Sequence, residues 1–176
     1  PDVRLHTYSG DADSVLERLD KGLADMGLLL GPTRQEKYDY LDIRRKDVFG
    51  LLMPAGCPLA KQEHIPTAQL RELPLILSEQ TYQGHHEMDH ADLADLKESM
   101  VATYNLIYNA TFLVEQGVGY ALCLKDLVNT DGRDLTFRPI VPELSLKLYL
   151  VTKKYQTFSP AVKTFLQQLR GIVDEE

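Results

Sequence analysis

The string His86-Glu87-Met88-Asp89-His90 carries the sharpest chemical pattern in the chain. On a helix, residues four apart share a face, so two imidazoles there can hold zinc while the glutamate activates a bound water. The surroundings argue against that use. The flank Ala91-Asp92-Leu93-Ala94-Asp95 is polar and acidic, whereas a catalytic zinc helix is normally buried beside its ligands. Glu98 and Glu115 follow, but neither stands at a convincing third-ligand spacing. With His85 alongside, the cluster reads as a solvated, histidine-rich helix end that can respond to pH. A zinc-dependent hydrolase using His86, Glu87 and His90 is the runner-up reading; the expectation is neither metal nor organic cofactor, and no enzyme activity.

Other reactive side chains point the same way. Cys123 lies inside the apolar run Tyr120-Ala121-Leu122-Cys123-Leu124, where a free thiol packs. Cys57 precedes Pro58 in a turn-rich loop with no histidine at a motif distance. Two cysteines make no disulfide framework and fit a reducing, cytoplasmic compartment. No Gly-x-Ser-x-Gly elbow is present, and Ser9-Gly10-Asp11 has one glycine where a dinucleotide loop wants three. Ser78-Glu79-Gln80 follows an apolar run, a place where polar side chains either face a crevice or serve turn chemistry. Asp11 or Asp13 can cap the first helix; at Asp11, helix-start amides attract anions, but its own carboxylate can occupy them and so disfavour an acidic ligand.

The elements that must position these residues show in the hydrophobic pattern. Twice an amphipathic helix runs into a glycine and then into a short apolar strand: residues 14–25 before Met26-Gly27-Leu28-Leu29-Leu30, and residues 110–119 before Tyr120. The first helix carries Val15, Leu16, Leu19 and Leu23 on one stripe, and its strand, uniformly apolar, is expected mid-sheet. Val3, Leu5 and Thr7 alternate as a strand with nothing before it, so the chain reads as a fragment lacking an upstream part. Leu41 and Ile43 mark an exposed strand, and residues 48–53 a separate buried one. Thr67 and Asn105 are expected to cap helices. Ser159-Pro160 opens a last helix with Val162, Phe165, Leu166 and Leu169 buried. The order of elements is that of an α/β fold with crossover helices.

Composition bounds the function. The 176 residues are 44% hydrophobic with a net charge of −7, which argues against nucleic-acid binding by this segment, since phosphate contacts demand a basic face. No apolar run approaches the roughly 20 residues of a membrane span, and no signal peptide pattern is visible. Neither membrane nor DNA is therefore an expected direct partner of the segment.

These landmarks, in this order, resemble the effector-binding domain of LysR-type transcriptional regulators. Pro1-Asp2-Val3-Arg4-Leu5 is similar to the family's YPDV-x-L strand, and residues 19–28 to its L-x-x-G-x-L-D-x-A-I joint. Cys57-Pro58-Leu59-Ala60 resembles H-P-L-A, Leu73-Pro74-Leu75-Ile76 resembles L-P-L-I, and residues 112–122 resemble L-V-x-x-G-x-G-I-A-L-L. Cys57 replaces the usual histidine, and Leu124-Lys125 stands where Leu-Pro often ends the strand. The resemblance implies a two-lobed fold of type 2 periplasmic-binding-protein kind with two Rossmann-like subdomains, here residues 1–78 with 142–176, and 79–141. It implies a small-molecule effector in the cleft, contacted by Ser9, Asp11, Gly31, Pro32, Ser78, Glu79, Thr103, Tyr104 and Asn105. It further implies a homodimer or homotetramer, a DNA-binding helix-turn-helix and a first strand and helix upstream of Pro1, and a bacterial regulator rather than the other alternative, a solute-binding protein.

Overall fold

Asp11 starts the first helix, α1 (Ala12–Asp20): it stands in extended conformation and its carboxylate accepts the Ser14 amide at 2.7 Å. Gly22, at φ +66°, ends it, and the Leu23 amide turns back to the Arg18 carbonyl at 2.9 Å. The computed structural model describes residues 3–31, 36–83 and 94–175. Their contacts divide the chain into two compact units, Pro1–Lys46 with Lys147–Glu176, and Asp47–Leu146.

In the first unit, β1 (Gly27–Leu30) runs antiparallel to β8 (Ser145–Lys153), with Gly27 opposite Val151 and Leu30 opposite Leu148. β8 is followed in the sheet by the first part of β2 (Tyr38–Pro54). α1 lays Leu16 and Leu19 on Leu29, Tyr38, Tyr149 and Val151, and the Tyr38 hydroxyl donates to the Leu16 carbonyl at 3.3 Å. Gly27 keeps this contact close: a Cβ there would meet Val15 at 2.7 Å. The last helix, α4 (Pro160–Glu175), opens where the Ser159 hydroxyl accepts the Val162 amide at 3.3 Å.

The second unit is built on one ladder of order β3–β7–β2–β6–β4–β5. Its members are β3 (Ile65–Pro66), β4 (Leu75–Ser78), β5 (Met100–Tyr104), β6 (Tyr120–Leu124) and β7 (Leu135–Val141), with residues 47–54 of β2. β6 and β7 flank β2 antiparallel; β6, β4 and β5 are mutually parallel, joined through α2 (Glu79–Gln83) and α3 (Ile107–Glu115). α3 presents Ala110 and Val114 to Leu52, Ile76, Ala121, Cys123 and Leu135, the i, i+4 spacing that puts two small side chains on one face. Arg138 ties down the loop after β2, donating to the carbonyls of Ala60 and Gln62 at 2.8 and 2.7 Å.

The contact-defined units meet at 46/47 and 146/147, with β3 and β4 pairing into the second unit's ladder. Several expectations are corrected by tertiary context. The separate strands expected around Leu41 and within residues 48–53 are one 17-residue strand. It is interrupted locally at Arg44 (φ +53°), whose amide bonds the Asp42 carboxylate at 2.8 Å. Residues 3–11 form no ladder among the described residues, and Leu5 is 85% exposed; alternation expresses a tendency, but a strand needs a partner backbone. β1 pairs on one side only among the described residues, so it is an edge and Leu28 is exposed. Leu23 lies beyond α1 and is exposed, as is Phe165 on α4, where the buried apolar contact is Val173 instead. Thr67 sits inside a 3-10 turn whose cap position is Pro66.

Gly119 shows how tightly the parallel strands approach: a Cβ there would lie 2.5 Å from the Pro74 carbonyl oxygen, the same oxygen that accepts the Tyr120 amide at 2.8 Å. Gly119→Ala is expected to destabilise the protein by about 1–3 kcal/mol in urea denaturation, whereas Leu5→Ala, at an exposed site, stays within about 0.5 kcal/mol of the parent.

Candidate functional site

Parallel strands end together, and in α/β sheets ligands bind beyond their carboxyl ends. In the second unit β4 and β5 finish side by side, Leu77 opposite Thr103 and Ser78 opposite Tyr104. Five of the nine sequence-derived candidates therefore meet on one edge: Ser78, Glu79, Thr103, Tyr104 and Asn105.

Their side chains do different things. The Ser78 hydroxyl accepts the Thr81 amide at 3.1 Å and shares a 2.7 Å hydrogen bond with the Thr81 hydroxyl, so it caps α2. Glu79, Thr103 and Asn105 are exposed. Tyr104 turns inward onto the α3 cluster, and its hydroxyl donates to the Leu122 carbonyl at 2.8 Å. Burial pushes its phenol well above the usual tyrosine range. Asn105 does not cap α3: the cap position belongs to Leu106, in extended conformation, which makes no side-chain cap hydrogen bond, and the Asn109 amide turns back to the Leu106 carbonyl at 3.0 Å. A helix start without a side-chain cap leaves the positive end of the helix dipole without a side-chain partner. In α1 the Asp11 carboxylate accepts the corresponding Ser14 amide.

Two carboxylates on the same edge escaped sequence reading. Asp47 opens the second unit's part of β2, and Asp126 (φ +62°) follows β6, where the Lys125 amide bonds the Val48 carbonyl at 2.8 Å. Burial first, and then the Asp126 charge, raise the Asp47 carboxyl above its ordinary value. Residues 79 positions apart meet only because Phe49 pairs with Leu124, and no local motif announces that register.

The remaining candidates lie in the first unit or outside the described residues. Ser9 is exposed in the irregular segment before α1. Gly31 ends β1 at φ +67°, its amide bonded to the Lys147 carbonyl at 2.9 Å. Pro32, like the whole stretch 84–93 with His85, His86, Glu87 and His90, lies outside the described residues. Among the described residues no group of three His, Cys, Asp or Glu is placed to hold a metal ion. Both cysteines are free thiols; Cys123 packs beneath α3, and burial pushes its thiol up to about 12.

The model of the LysR substrate binding domain family matches residues 1–173. The chain belongs to this family. It is 23% identical, over 94% of its length, to the Hca operon transcriptional activator HcaR of Escherichia coli K12, and spans 57% of that protein. The fold is that of HinK, a LysR family transcriptional regulator from Pseudomonas aeruginosa (TM-score 0.76, 17% identity, 94% of this chain and 59% of that one). It is also that of the effector-binding domain of QuiR in complex with shikimate (TM-score 0.74, 15% identity, 95% and 80%). The expected α/β fold of type 2 periplasmic-binding-protein kind thus holds for this LysR substrate-binding domain. Among the described residues no helix is long and apolar enough to cross a membrane.

A carboxyl whose pKa rises on folding ionises more readily in the unfolded chain, so Asp47 opposes folding above its unfolded value near 3.8 and not below it. Asp47→Asn is expected to raise the urea midpoint at neutral pH. The gain should shrink as pH falls through the raised native value and vanish below 3.8; a gain independent of pH would contradict this origin.

Proposed function

We propose that this domain senses a small polar effector for a bacterial LysR-type transcription regulator, binding it at the carboxyl edge of β4 and β5. The observation that carries the reading is the uncapped start of α3 beside Thr103 and Asn105, with Ser78 and Glu79 on the neighbouring strand end. A helix start without a side-chain cap favours an anionic or strongly polar ligand group, and the exposed Thr103 and Asn105 side chains supply further hydrogen bonds. The family match supports this function, as does the QuiR domain's complex with shikimate.

The domain carries out recognition rather than catalysis. Its output is the DNA-binding activity of a helix-turn-helix elsewhere in the full regulator, which acts in the cytoplasm as a homodimer or homotetramer. For an effector to change that output it must bind one conformational or assembly state more tightly than the other, since equal affinity shifts nothing.

A thermal-shift screen of small carboxylates and hydroxylated metabolites, with shikimate among them, tests the reading. An effector at a hundred times its Kd stabilises the native state by about 2.7 kcal/mol, a readily measured rise in Tm. Thr103→Ala and Asn105→Ala are expected to abolish that rise while leaving the ligand-free Tm unchanged, because both residues are exposed. Failure of every compound class to stabilise the domain, or full retention of the shift in both variants, would refute the site.

A further inference from the structure

We draw no further inference here: the strongest candidate, the exposed apolar patch of Leu106, Tyr108 and Phe112 along α3 with Val101 on β5, carries none because nothing in the structure shows what covers it.

Discussion

Residues 49–54 of β2 must satisfy their backbone groups on both sides at once, with β6 across Phe49–Leu52 and β7 across Gly50–Pro54. Both faces are also covered: Phe49, Leu51, Leu52 and Met53 are all buried. A one-residue slip would exchange the faces of every side chain while breaking two ladders together, so the register is strongly specified. Gly50 is part of that specification, since a Cβ would fall 2.2 Å from the Phe137 ring. Once β6 is placed, its parallel pairing places β4, and β4 places β5. The edge bearing Ser78, Thr103 and Asn105 is the last consequence of that sequence of pairings.

Polar groups that enter the second unit's interior are met by partners, as buried hydrogen-bonding groups must be. The Tyr104 hydroxyl finds the Leu122 carbonyl. Thr111, fully buried on α3, donates to the Tyr108 carbonyl and accepts from Arg133, which also pairs with Glu115 at 2.7 Å. That last contact fastens the 129–134 turn onto α3. Against this background the uncapped start of α3 is a different kind of feature. It has no side-chain cap, whereas in α1 the Asp11 carboxylate accepts the Ser14 amide. Two helices built on the same helix–glycine–strand plan thus start differently, one with an aspartate cap and one without a side-chain cap.

The first unit shows the converse use of a strand face. α1 covers Tyr38, Tyr149 and Val151 but stops short of Asp42 and Lys147, so one continuous face is core at one end and groove at the other. Length decides this: at about 1.5 Å per residue a nine-residue helix spans roughly 13 Å, less than the strands beneath it.

What the sequence determined by itself was local and periodic. The helix–glycine–strand joints, an aspartate cap at Asp11 or Asp13, the apolar strands at Leu75 and Tyr120, and the Ser159-Pro160 helix start all follow from interactions within a few residues, so they could be read directly. The colinear motifs carried the family for the same reason, each being a short string tied to one turn or joint. Tertiary structure decided everything that depends on a distant backbone. Val3 to Thr7 alternates but is given no partner among the described residues; β1 is apolar enough for a sheet centre yet pairs on one side. Asn105 has the chemistry of a cap, but the turn after β5 assigns that position to Leu106. The meeting of Asp47 with Asp126, and of Tyr40 with Tyr149, has no sequence signal, because strand register is a property of two segments together and is written in neither one alone.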